Sequence, residues 1–212
     1  MIQVCEPPTV RRQVRRLSAE EFFLLARQEA CSFYRPRSEV LRMLTAGEIW
    51  GACGPRSEPE AALMVLPLNA DTAVASALRV CTGWDAARGG SFLTPPVVRE
   101  GGQLPQMVEA AAQRARRLAR RGPVWSVLEC TASSEPLTAL YLKQGFVLRA
   151  MRPLESLAPC YLFAYTGPVM RAEPVWVPLA DSARVARLLA RGWAAVDSRP
   201  SPQGTALGLC PV

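Results

Sequence analysis

The sequence predicts a mixed α/β domain, a central mixed sheet flanked by helices, and three observations predict it. Two apolar runs, Glu48–Cys53 and Ala61–Leu68, are joined by a Gly-Pro-Arg-Ser turn and read as an antiparallel hairpin. From Leu104 apolar residues recur at helical spacing up to Gly122-Pro123. Between Ser91 and Tyr165 the order strand, helix, strand, helix, strand, strand calls for helices packed on a sheet.

Taken in chain order, Ile2 to Arg16 holds a short edge strand before a helix. Ser18 is placed to cap that helix, with Glu21 three residues on as its capping-box partner, and Phe22, Phe23, Leu25 and Ala26 supply its apolar face. A second helix is expected over Ser38–Leu44, capped by Ser38 and closed by Gly47. Residues 69–93 are the least legible, and Thr72–Cys81 fits either helix or strand. Ser91–Val98 reads as a strand interrupted by Pro95 and Pro96. Pro105 suits the first turn of the long helix, whose buried face would be Met107, Val108, Ala111, Ala112, Ala115, Leu118 and Ala119. Val124–Thr131 reads as a buried strand, Glu135–Gln144 as a helix ended by Gly145, and Phe146–Met151 and Tyr161–Tyr165 as strands. Beyond Gly167 come a strand at Val175–Val177, an amphipathic helix at Asp181–Arg191, and a hairpin of Trp193–Val196 with Ala206–Cys210 around a turn at 198–204.

Composition excludes several chemistries. Hydrophobic residues make up 50% of the 212, which places the chain among globular proteins. No run reaches the roughly 18 apolar residues of a membrane helix, and Met1–Val4 leads straight into Cys5, Glu6 and two prolines, so a cytoplasmic protein is expected. With no histidine, Ser-His-Asp and Cys-His catalysis and HExxH zinc sites are excluded, leaving Glu, Asp, Tyr, Cys or water to move protons. No metal site is expected. The seven cysteines lie far apart, without CxxC spacing, and read as small buried hydrophobes. Net charge is +7 and Lys143 is the single lysine. The arginines of 11–16 and 114–121 favour an anionic partner, but no nucleic-acid motif accompanies them and aromatics are 7%, so nucleic acid is an unlikely partner. Trp50, Trp84 and Trp125 read as core rather than as a substrate cage.

Two stretches carry chemistry. The loop Pro96-Val97-Val98-Arg99-Glu100-Gly101-Gly102-Gln103-Leu104-Pro105 joins a strand to a helix, placing free backbone N–H groups at a helix N-terminus that suits a pyrophosphate. Its glycines allow close approach of the backbone. The second stretch is Leu128-Glu129-Cys130-Thr131-Ala132-Ser133-Ser134-Glu135, continuing to Leu140-Tyr141-Leu142-Lys143-Gln144-Gly145-Phe146.

This second stretch resembles the acyl-CoA-binding core of the GNAT N-acetyltransferases, with LEC for LEV, SS for SN, and LYLKQGF nearly unaltered. It is most similar to the branch that acetylates ribosomal-protein N-terminal alanines. The resemblance spans about residues 17–165 and implies the GNAT fold, acetyl-CoA as cosubstrate, and a primary amine of a small molecule or peptide as acceptor. It implies that Tyr141 protonates the departing thiolate and that Glu129 acts as base towards the amine. Val97 and Val98 would bond the pantetheine through their backbone. Arg99, Gly101, Gly102, Gln103 and Leu104 would form the pyrophosphate loop, Arg99 and Gly102 matching the start of its R/Q-x-x-G-x-G/A pattern. Leu104 departs from the second Gly/Ala of that pattern, and Ser134 replaces an Asn near the cofactor. Residues 1–166 are then the GNAT-like domain and 167–212 an extension that covers a sheet edge or makes a homodimer contact. The alternative is a GNAT-fold module that binds acyl-CoA or a protein without turnover, favoured by Leu104 and Ser134.

Overall fold

A computed structural model describes residues 13–28, 36–99, 104–119, 122–129, 135–153, 159–166 and 173–211. Strand β1 (Gln13–Leu17) leads into helix α1 (Ala19–Gln28). The capping box forms as expected: Ser18 Oγ accepts from Glu21 N at 3.2 Å, and Ser18 N donates to Glu21 Oε2 at 2.8 Å. Helix α2 (Arg37–Met43) departs from the expectation at its start. Pro36 is the N-cap and makes no side-chain cap bond, while Ser38 lies exposed inside the helix. Proline's fixed φ already presets the helical entry, so no side-chain cap is needed there.

β2 (Glu48–Cys53) and β3 (Pro59–Pro67) form the expected antiparallel hairpin. β3 is the spine of the core, buried on both faces. Ala61, Leu63 and Val65 meet Met107 and Val108 of helix α4 (Leu104–Ala119), whereas Ala62, Met64 and Leu66 meet Phe22 and Leu25 of α1. The ambiguous segment is a helix, α3 (Thr72–Thr82), capped by Asp71, whose Oδ1 accepts from Ala73 N and Val74 N. Strands β4 (Ser91–Leu93), β5 (Val97–Val98) and β6 (Val124–Glu129) follow, then α5 (Glu135–Lys143), β7 (Phe146–Pro153) and β8 (Pro159–Tyr165). Gly145, at φ 86°, takes the left-handed turn that ends α5 and starts β7.

The last part is β9 (Val175–Pro178), α6 (Ser182–Ala190), β10 (Trp193–Ser201) and β11 (Gly204–Pro211). The hairpin strands run further than the sequence suggests, because Ser201 pairs with Gly204 and the turn shrinks to two residues. β10 pairs with β7 at Ala195 and Leu148, so the sheet runs β1-β2-β3-β4-β6-β8-β7-β10-β11-β9, with β5 beside β3. Among the described residues no helix is long and apolar enough to cross a membrane.

The arginine clusters are partly anchored rather than merely solvated. Glu48 is buried at the start of β2, where Arg114 of α4 grips it through both ends of the guanidinium, Nε donating to Oε2 at 2.8 Å. Trp50 Nε1 adds a bond to Oε2 at 3.2 Å, and Arg16 of β1 stands 3.5 Å away. These hydrogen bonds, Arg114's foremost, hold the Glu48 carboxyl below its ordinary value against the opposing effect of burial. A depressed carboxylate contributes stability above the unfolded pKa, about 4.3, and that contribution is lost as pH falls through the folded value. Glu48→Gln is therefore expected to lower the melting temperature near pH 7, with the difference starting to shrink below about pH 4.3 and vanishing once pH has fallen through the depressed folded value. Thermal unfolding across that pH range tests it, and a pH-independent difference would assign the loss to packing instead.

Candidate active site

β4 and β6 run parallel and pair from Ser91↔Val124 to Leu93↔Ser126. There they part. The Pro95-Pro96 pair removes two backbone donors, and the chain resumes as β5, which pairs with β3 at Ala61↔Val98 and Ala62↔Val97. β6 continues to Glu129 paired on its other side with β8. Among the described residues no strand fills the space between β5 and the second half of β6, so a V-shaped gap opens in the sheet.

The edge of β5 that faces this gap carries backbone groups with no partner among the described residues. Arg99 N donates to Glu60 O of β3 at 2.7 Å. Because backbone groups alternate along a strand, those of Val98 point the other way, towards the gap. Leu104 opens α4, and its side chain packs against the core cluster shared by Met107, Val108 and Tyr141. A leucine at this loop position therefore has an apolar berth on the protein side. Gly101, Gly102, Gln103 and Ser134 lie outside the described residues, as does the Glu129 side chain; the Glu129 backbone closes β6 opposite Cys160.

Tyr141 lies on α5, fully buried. Its ring meets Phe146 edge-on at 5.0 Å and Phe163 at 5.5 Å, contacts that fix its plane. Its hydroxyl has no hydrogen-bond partner of full geometry among the described residues. The same holds for Ser126 on β6 and Thr138 one turn earlier on α5, also buried. Burial pushes the Tyr141 phenol up to about 12, and the nearby Ser126 hydroxyl pulls the opposite way without closing a bond to it. The phenol is thus a proton-holding donor at every physiological pH. Ser126 is the last β6 residue paired to β4, so its hydroxyl and the neighbouring Tyr141 hydroxyl lie near the apex of the V, where the two strands part. The structure brings Val98, Leu104 and Tyr141 onto one apolar cluster, while Val97 faces the opposite side of the sheet. Ser126 and Thr138 were not singled out from the sequence; the available signal was a serine in the middle of the apolar strand VWSVLE.

A separate cleft of about 850 Å³ is lined by residues of β6, β7 and β8, the end of α3, and α6. Trp84 and Trp125, expected as core, both face it, together with Trp193. Tyr141 does not line it.

No family model matches the sequence, and no curated protein matches it either. Solved structures do. The chain is similar to Arabidopsis thaliana NAA60 in complex with acetyl-CoA at 15% identity, covering 73% of this chain and 98% of that one, with a TM-score of 0.50. A putative acetyltransferase of the GNAT family from Desulfovibrio desulfuricans matches at 14% identity over 73% and 98%, also at 0.50. The NatC complex bound to Gag peptide and CoA matches at 15% identity over 75% and 99%, at 0.52. The fold is the GNAT acyl-CoA N-acyltransferase fold, as the sequence predicts.

Proposed function

We infer that the chain is an acetyl-CoA-dependent N-acetyltransferase whose acceptor is a primary amine on a small molecule or a peptide. The observation that carries this reading is the Tyr141 hydroxyl, buried and without a partner among the described residues, close to where the gap between β5 and β6 begins. Leaving a buried donor unpaired costs about 1–3 kcal/mol. An acceptor atom arriving in the gap would give that donor its use, and a thioester sulfur is such an atom.

Acetyl-CoA supplies an acyl group already activated as a thioester. Val98 binds an amide of the pantetheine arm through the backbone groups on its open edge. Arg99, Gly101, Gly102, Gln103 and the first turn of α4 offer N–H groups and positive charge to the pyrophosphate. Ser134 borders the same cofactor. Glu129 takes the proton from the attacking amine, and the Tyr141 hydroxyl donates a hydrogen bond that stabilises the departing thiolate. The likeness of LYLKQGF to the ribosomal-protein alanine N-acetyltransferases makes a peptide N-terminus the first acceptor to try.

Thermal unfolding with and without acetyl-CoA tests the reading. Ligand at ~100 times its dissociation constant adds about 2.7 kcal/mol, which for a chain of this size raises the melting temperature by roughly 5–11 °C. A folded protein with no shift would sink it. A second reading, a binding module without turnover, is favoured by the complete closure of Tyr141 from solvent. It predicts the same shift with no acetylation across a panel of amines and peptides.

A further inference from the structure

The cleft between the end of α3 and α6 has a consistent chemistry. Its volume, about 850 Å³, falls in the range of small-molecule sites. Three indoles line it: Trp84 and Trp193 partly exposed, Trp125 buried. Trp84 Nε1 is engaged, donating to Gly89 O at 3.0 Å. Trp125 Nε1 is not: it is a buried N–H with no partner among the described residues. Two cations complete the wall, Arg149 and Arg187, and no Asp or Glu among the described residues lines it. Neither arginine has an ion pair among the described residues.

Arg149 reaches this position through a defect in the sheet. β7 pairs with β8 at Leu148↔Phe163 and next at Ala150↔Leu162, so Arg149 is the extra residue of a bulge. A bulge spends a ladder position to re-aim a side chain, and such defects recur beside binding sites. Without the extra residue, strand alternation would fix the direction of this side chain.

We propose that this cleft binds a small aromatic anion, a flat ring system bearing a carboxylate or related oxyanion, at a site separate from the cofactor gap. The indoles offer faces for stacking, and Arg149 and Arg187 offer charge. The Trp125 N–H offers a donor that only an acceptor-bearing ligand satisfies. The absence of acidic side chains from the lining argues against a cationic amine here, so the cleft is not the acceptor pocket. Trp125 and Ser126 are consecutive on β6, Trp125 packing with the α1 and α3 cluster while Ser126 neighbours Tyr141, so the strand itself separates the two sites.

Isothermal titration of the full chain with 2-naphthoate and its uncharged isostere 2-naphthamide tests the proposal. Saturable naphthoate binding is expected, at least ~10-fold tighter than naphthamide and weakened by salt, as ion pairing with solvent-accessible arginines requires. Arg149→Gln and Arg187→Gln, the first at a partly exposed and the second at an exposed position, should each weaken naphthoate without lowering the melting temperature. Three outcomes would overturn it: no saturable binding by the unaltered protein, equal affinity for the two probes, or full displacement of naphthoate by free CoA. The last would put the cofactor in this cleft, an outcome distinguishable from a failed acetyltransferase reading because CoA would still bind.

Discussion

Tyr141→Phe is expected to slow acetyl transfer by about 10²-fold or more, the usual worth of a positioned acid, while leaving the protein at least as stable. The two halves of that statement come from one atom. The hydroxyl is buried and without a partner among the described residues, so deleting it removes a desolvated group that none of them satisfies. The ring contacts to Phe146 and Phe163 stay. Full proton transfer from a phenol near 12 to a thiolate with a pKa of about 8.5 is uphill by roughly 5 kcal/mol. In the proposed reaction the group therefore works best as a fixed hydrogen-bond donor to the developing thiolate, and that role should not titrate below about pH 10. The raised pKa also has a signature in stability. Its contribution is present below the unfolded value, about 10, and is lost as pH rises through the folded value near 12. The phenylalanine variant should accordingly outlast the unaltered protein in melts at about pH 11. Full turnover by the variant would remove Tyr141 from the chemistry.

Ending the chain after Thr166 is expected to leave a polypeptide that does not fold. Val177, Leu179, Val185, Leu189, Leu207 and Leu209 belong to the same buried cluster as Tyr141, Phe146 and Leu148. At about 1.5–3 kcal/mol for each buried side chain, those six contribute roughly 9–18 kcal/mol. A domain of this size has only about 5–15 kcal/mol of net stability to lose. A milder variant keeps the idea testable: Leu209→Ala, fully buried on β11, should cost about 2–5 kcal/mol. Circular dichroism and size exclusion of the truncated chain decide the matter. Cooperative unfolding near the melting temperature of the full chain would make residues 167–212 a separable unit. The division after residue 166 expected from the sequence would then mark a true fold boundary.

Much of this architecture was readable because its causes are local. The Ser18–Glu21 box, the helical period of α4 and the Tyr-to-Gly-Phe run of α5 each lie within a few turns of chain. The helix α3 was ambiguous for an equally local reason: nearly every residue in it is apolar or small, so no stripe stands out. Only Val74 and Leu78 are buried, while Val80 is 74% exposed. Its telling signals were Asp71 at the N-cap and Gly83, in the left-handed region, at the C-cap. Tyr141 was found through its motif. Its isolation from solvent was not, since that depends on Phe163 and Ser126, distant in sequence. The cleft was illegible for the same reason taken further: six elements contribute to it, and the bulge at Arg149 exists only relative to the register of β8.

The docking of β10 on β7 also bears on self-association. An exposed outer strand is a ready template for a second copy, and β7 would have been such a strand at the end of a shorter sheet. Here the chain supplies its own neighbour, and the free border moves out to β9. That border is a poor template. It is four residues long, ends in Pro178, and is preceded by Pro174, neither of which has an N–H to offer. The C-terminal segment thus acts as an intramolecular substitute for a partner subunit, so two copies of this chain have little reason to zip together strand to strand through it.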